Sequence, residues 1–334
     1  MALVALVLAV TLSGCLCARG TVNSSDSLRW WLFSNFGAQR VCPEMQKRGV
    51  PLKLAIVGPN AVGRFFPAQC GVRVNDAERT IVVDVTGSGY AVLPVTRRVG
   101  FYAGLSVEYS MDFRLESDAT YVWGRFRRLA APPDLRLLGV ENAVVNLATQ
   151  TPLGDLATLL GRGIVEGELA RGFTVVRLDD GDDFTMGHLE PPERPKRFFS
   201  SGKDRVVLAS DQTELRASSR DYLGPFEVAQ KDASMTVRLR VAGAPADFFL
   251  VDKALGDAWR QPYEAARPIG PPPGPPLTYG QAPPGETVRS FPLNPGYYYL
   301  VVENRAPAPV AAFGVSLPFE TISTVAYNVE LGSR

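Results

Sequence analysis

The chain has 334 residues, with 35 Lys and Arg against 34 Asp and Glu, for a formal net charge of +1. So even a balance presents no field for a polyanion and argues against nucleic acid as a partner. A single histidine, His188, excludes a histidine-rich metal site and leaves a Ser-His-Asp or Cys-His enzyme only one candidate base.

Residues 2 to 12, ALVALVLAVTL, have the length of a signal-peptide core. A membrane-spanning helix needs roughly 20 apolar residues. Ser13 and Gly14 end the run, and a polar stretch from Thr21 to Ser27 follows Arg19. Leu12-Ser13-Gly14-Cys15 resembles the lipobox of bacterial lipoproteins, although no Lys or Arg precedes the apolar core. The resemblance implies diacylation of the Cys15 thiol, cleavage before Cys15 and acylation of the new amino group. The membrane then becomes a partner through that anchor. Leu16 in place of Asp after the anchor implies the outer membrane. Residues 1–14 are thus expected to be a signal peptide and 15–27 a lipidated tether. An exported chain meets an oxidising compartment, so Cys42 and Cys70 are the expected disulfide, with Cys17 left over. No Cys-x-x-Cys pair supports a zinc or redox site.

Residues 28–48 read as a helix, with Leu28, Trp31, Leu32, Asn35 and Phe36 forming a core-facing stripe. Alternatively, Trp30 and Trp31 lie at a membrane interface beside the anchor. Val50 to Val57 is expected as a strand ending in the turn Gly58-Pro59-Asn60. Thr80–Val85 and Tyr90–Val95 are expected as a hairpin around Gly87-Ser88-Gly89. From Val99 to Leu115 every odd position is apolar or small, while the even positions are mostly polar or Gly. Unbroken, such a strand spans about 55 Å at roughly 3.3 Å per residue. It is either two strands bent at Gly104 or part of a long curved sheet with one apolar and one wet face. Residues 120–129 and 134–140 add two strands around Ala131-Pro132-Pro133.

A long amphipathic helix is expected over 152–171, with Thr151 as N-cap and Gly172 as its stop. FTVVRL and FTMGHL then flank Asp179-Asp180-Gly181-Asp182-Asp183 as a hairpin. These four carboxylates could supply oxygen ligands to calcium. The spacing is not that of an EF-hand, and Asp-Gly between β runs is first a turn signal, so no metal is expected.

EPPERPK opens a linker over 191–203. Strands at 235–241, 247–252, 287–293, 297–304, 312–317 and 325–331 have the spacing of a β-sandwich, expected over 204–334. FPLNPGYYYLVVENR resembles small export-associated β-sandwiches such as pre-peptidase C-terminal domains. The run PIGPPPGPP, 268–276, reads as a stiff surface loop.

The expected fold is mainly β with some α (α+β). A long antiparallel meander with one amphipathic helix fills 28–190, and a β-sandwich follows. No nucleophile elbow and no phosphate-binding glycine loop occur, so a non-catalytic protein without a cofactor is expected. The first reading is an envelope-anchored scaffold that binds an envelope protein or glycan. The second is a carrier or chaperone of lipid or another apolar ligand. Its groove would lie between helix 152–171 and the sheet, walled by Phe101, Leu105, Tyr109, Phe113, Leu156, Leu160 and Ile164. The order meander, helix, hairpin resembles that of tubular lipid-binding proteins. An uncharacterised hydrolase is the third reading.

Overall fold

The computed structural model describes residues 19–54, 58–94, 96–141, 169–200, 204–306 and 321–333. The signal segment, Cys15, Cys17, the strand expected at 312–317, and most of helix 152–171 with Leu156, Leu160 and Ile164 lie outside the described residues. The last residues of that helix, Leu169–Arg171, form a short 3-10 turn. The fold is mostly β with a few helices, and its sheets are antiparallel, as an α+β chain requires.

Eight strands build the N-terminal sheet: β1 (Val50–Leu52), β2 (Gly63–Asn75), β3 (Thr80–Leu93), β4 (Arg97–Leu115), β5 (Thr120–Leu129), β6 (Asp134–Val140), β7 (Phe173–Leu178) and β8 (Gly181–Met186). Their order is β1-β2-β3-β4-β5-β7-β8, with β6 also paired to β4. The period-two run is one strand, β4. Its outer partner changes midway: Val99–Gly104 pairs with β6, and Val107–Leu115 pairs with β5. Strands β5 and β6 therefore lie end to end along β4. The break between them falls at Pro132-Pro133, which have no N–H to donate.

Two expectations are corrected here. β3 runs unbroken through Gly87-Ser88-Gly89, so that segment is not a hairpin. Glycine is required there by close approach: a Cβ at Gly87 would lie 2.1 Å from the Phe66 carbonyl oxygen. The turn comes earlier, before Arg79, which takes a positive φ of 54°. The second correction is to the wet face of β4. Arg98 and Gly100 are buried beneath a helix of the C-terminal region.

The helical arm comprises α1 (Asp26–Leu32), a π-turn (Phe33–Gly37) and α2 (Ala38–Gln46). Ser25 caps α1 by accepting from the Leu28 N–H at 3.3 Å. The stripe is out of phase with expectation. Trp30, Phe33 and Ala38 are buried against Ile81, Val83, Val107, Tyr109 and Met111. Trp31 and Phe36 face outward at 54% and 63% exposure. Trp30 can be buried because its indole N–H donates to Asp76 at 2.9 Å. Cys42 and Cys70 are bonded and tie α2 to β2.

The C-terminal region holds β9 (Val206–Arg216), β10 (Ser219–Val228), β11 (Ala233–Gly243), β12 (Ala246–Asp252), α3 (Lys253–Glu264), β13 (Thr278–Ala282), β14 (Gly285–Leu293), β15 (Gly296–Asn304) and β16 (Ile322–Ser333). They form two 4-stranded sheets, β10-β15-β12-β13 and β14-β11-β16-β9. Alternate residues of both sheets enter one core that includes Leu223, Met235, Leu250, Leu300 and Val325. Helix α3 is absent from the sequence reading because Gly256 and Pro262 obscure it. Asp252 caps it, accepting from Leu255 N–H at 2.8 Å, and Leu255, Trp259 and Tyr263 recur every fourth residue on one face.

That face joins the two regions. Trp259 and Tyr263 pack with Phe66 and Tyr90 of the first sheet and with Tyr222 and Tyr299 of the second region. A Cβ on Gly100 would lie 1.5 Å from the Glu264 carbonyl oxygen, so only glycine admits the helix end. Beside it, Arg64 holds Asp221 in a two-pronged pair, Nε to Oδ1 at 3.1 Å and Nη2 to Oδ2 at 2.9 Å. Tyr90 donates to the same carboxylate at 2.5 Å and accepts from the Tyr222 N–H at 2.8 Å. Burial disfavours charge on Arg64, but Asp221 outweighs it and holds the guanidinium protonated. Burial also pushes the Tyr90 hydroxyl well above its ordinary range, keeping it a neutral donor.

Candidate functional site

The odd-numbered face of β3 and β4 does not close completely against the helical arm. A cavity of about 710 Å³ remains between them. Neighbouring strands are spaced roughly 4.8 Å apart, and a helix with its side chains is about 10 Å across. One helical arm therefore covers about two strands of the eight. The rest of the apolar face borders the cavity.

The walls are chiefly aliphatic and aromatic. The sheet contributes Phe65, Val83, Val85, Phe101, Leu105, Val107, Tyr109 and Met111. Phe33, Phe36, Val41 and Met45 come from the helical arm, and Leu169, Phe173, Val175, Phe184 and Met186 from the 3-10 turn, β7 and β8. The C-terminal region closes one end with Phe226 and Tyr327, and the linker adds Pro195 and Phe198. Two wall residues, Phe36 and Phe184, are 63% and 42% exposed, so the cavity reaches the surface.

Of the residues expected to wall a groove, Phe101, Leu105 and Tyr109 do line this cavity. Phe113 packs instead against the cluster around Trp30 and Phe33. Leu156, Leu160 and Ile164 lie outside the described residues. Burial pushes the Tyr109 hydroxyl above its ordinary range, so it stays neutral at the wall. Sequence reasoning missed the contribution of the helical arm, because the π-turn changes the helical phase between Phe33 and Val41. It also missed Phe226 and Tyr327, which come from distant strands.

The acidic turn has another occupation. Arg197 of the linker holds Asp183 at 2.8 Å and Asp180 at 2.6 Å. Asp182 pairs with Arg177 at 2.8 Å. Burial pushes the Asp183 carboxyl up, against the pull of Arg197. The linker is thus pinned to the β7–β8 turn, and the Asp180 carbonyl accepts from the Val207 N–H of β9 at 2.7 Å. Among the described residues no cluster of three or more His, Cys, Asp or Glu side chains is placed to hold a metal. His188 lies within hydrogen-bond distance of Glu190, at 2.6 Å, and beside Trp123; it does not line the cavity.

The chain matches no family model and no curated protein sequence. The site offers a large apolar surface that opens to solvent past Phe36 and Phe184, with charged side chains among its lining residues. Among the described residues no helix is long and apolar enough to cross a membrane.

Proposed function

We propose that this protein is exported, lipid-anchored at Cys15, and binds an apolar or amphiphilic ligand in the cavity of its N-terminal sheet. One observation carries the reading: the cavity of about 710 Å³ with apolar walls. Ligand sites typically occupy roughly 300–1,000 Å³ and bury most of an apolar ligand among hydrophobic side chains. Left to water alone, so large an apolar surface would be unfavourable at about 25 cal/mol per Å². The proposal has no catalytic step and no cofactor.

The address rests on Leu12-Ser13-Gly14-Cys15 and on Leu16, which favours the outer membrane. The Cys42–Cys70 bond suits an oxidising compartment. In this reading the two C-terminal sheets form a β-sandwich that acts as a rigid support, with α3 braced on β4. The test is native mass spectrometry with organic extraction of the full chain carrying Cys15→Ser, produced in an exporting host. Bound apolar material at about one per chain is the expected result. A ligand-free mass, together with failure to take up an added fluorescent fatty acid, would overturn the proposal.

A second reading, a scaffold that binds an envelope protein, is supported by a separate surface. Edge strand β13 presents Tyr279 at 75% exposure, next to Leu277 at 56%. Substituting both with Ser and recovering partners by cross-linking in envelopes tests it; unchanged partners would remove it.

A further inference from the structure

We infer that the cavity's ligand carries an anionic head, held by Arg40, Arg48 and Lys196. This rests on the ligand-binding reading above and names the class of molecule. The chain as a whole is nearly neutral at +1, so a charge excess at one cavity is a local feature.

Among the described residues the cavity is lined by six cationic side chains, Arg40, Arg48, Lys53, Arg64, Arg177 and Lys196. Four carboxylates line it: Glu44, Asp182, Asp183 and Asp211. Each carboxylate already has a cation. Glu44 pairs with Lys47 at 2.9 Å, and Asp211 with Lys53 at 2.9 Å. Asp182 pairs with Arg177 at 2.8 Å, and Asp183 with Arg197 at 2.8 Å. Arg64 is taken by Asp221 at 2.9 Å. The remaining three cations have no carboxylate of their own among the described residues.

Their placement suits a ligand whose tail is buried and whose head meets water. Arg40 and Lys196 are exposed, and Arg48 is half-buried. Arg48 is held in place by donating through Nη1 to the Leu208 carbonyl. A guanidinium has five N–H donors, so others remain for a ligand. Arg48 also faces Asp183, whose two oxygens both accept from Arg197 Nε, at 2.9 and 2.8 Å. Lys196 carries its ammonium over the ring of Phe198, itself a wall residue, at 5.4 Å from the centroid. Hydrogen bonds from such cations to a carboxylate or phosphate are about twice as strong as neutral ones. A cationic head would meet the same three charges as repulsion.

The test compares matched single-chain fluorescent amphiphiles that differ only in the head: carboxylate, alcohol and trimethylammonium. Each is titrated into the full chain carrying Cys15→Ser, at low and at high salt. The expected result is a carboxylate bound about tenfold tighter than the alcohol, with the ammonium weakest and the preference shrinking as salt rises. In the double variant Arg40→Gln, Lys196→Gln, most of the carboxylate's advantage over the alcohol is lost, Arg48 keeping the remainder, while the alcohol is unchanged. Equal binding of all three heads to the chain carrying only Cys15→Ser would overturn the anionic assignment and leave the cavity reading intact. Failure of all three to bind would overturn the cavity reading itself. Because the comparison of heads needs no substitution, a poorly folding variant does not blunt it.

Discussion

The two halves of the molecule solve the same problem with opposite outcomes. In the C-terminal half, Leu300 and Val302 of one sheet and Val325 and Val329 of the other are fully buried in one shared core. In the N-terminal half, one wide sheet faces a single helical arm and a linker, and Leu105 of β4, Phe173 of β7 and Met45 of the arm are only partly buried. In the C-terminal half the side chains of both sheets fill one core. Sheet against helix closes only where the helix lies. The same alternating pattern of side chains therefore produces a packed core in one half and a cavity in the other.

The largest effect is expected where the halves are joined. Asp221→Ala leaves Arg64 buried without its counter-charge and removes the acceptor of Tyr90. The expected loss is about 3–5 kcal/mol, read by chemical denaturation. If Asp221→Ala unfolded as easily as an exposed substitution, the halves would be held by apolar packing alone.

Next comes a direct contrast of the two apolar faces. Leu300→Ala empties a filled site and should cost about 3 kcal/mol. Leu105→Ala borders a cavity that already exists, so its cost in stability should stay under about 1 kcal/mol while fatty-acid affinity changes. Equal losses from both would mean the cavity wall is packed like the C-terminal core.

A third test concerns the arm. Cys42→Ser opens the bond that ties α2 to β2 across a separation of 28 residues. About 2–3 kcal/mol should be lost, with the cavity's ligand released at lower denaturant than the C-terminal sheets unfold.

The smallest effects are in pH. Burial pushes the Glu264 carboxyl above its ordinary 4.5, against Arg260. A raised folded-state value means that its contribution is full below about pH 4.5 and is lost as pH rises through the folded value. Glu108 is the opposite case. A hydrogen bond from Arg128 at 2.6 Å, joined by Thr80 at 2.8 Å, holds it below 4.5. Its contribution is present above that value and lost as pH falls. As pH rises above about 4.5, the melting temperature of Glu264→Gln should rise relative to the unaltered protein, whereas the deficit of Glu108→Gln should stay constant there and shrink as pH falls below about 4.5. Parallel curves for the two variants would remove the distinction between the joint and the outer sheet.

Much of the fold was legible where a local pattern is long or unambiguous. The alternation from Val99 to Leu115 could only be extended chain, and it is one strand. Asp179 to Asp183 was legible as a turn between β7 and β8, and the pairing of Cys42 with Cys70 is the one expected. The cavity's sheet wall was legible only as a shared face, since the helix expected to complete a groove, 152–171, lies almost wholly outside the described residues. Phe101, Leu105 and Tyr109 share a face by period alone. Illegible were β2, whose pattern Pro67 and Cys70 interrupt, and α3, where Gly256 and Pro262 stand against the helical reading of Leu255, Trp259 and Tyr263.

By itself, then, the sequence determined the alternation of β4, the break between β5 and β6 at Pro132-Pro133, and the cysteine pair. These depend on neighbours a few residues away or on covalent chemistry. Only the tertiary structure decided that Gly87 and Gly89 sit within a strand, that Trp30 rather than Trp31 turns inward, and that Gly100 receives the end of α3. It also decided which cations of the cavity are already paired. Each of these depends on what approaches from a distant part of the chain. A cavity is the extreme case, because it is set by where several elements stop short of one another, and no single segment encodes that space.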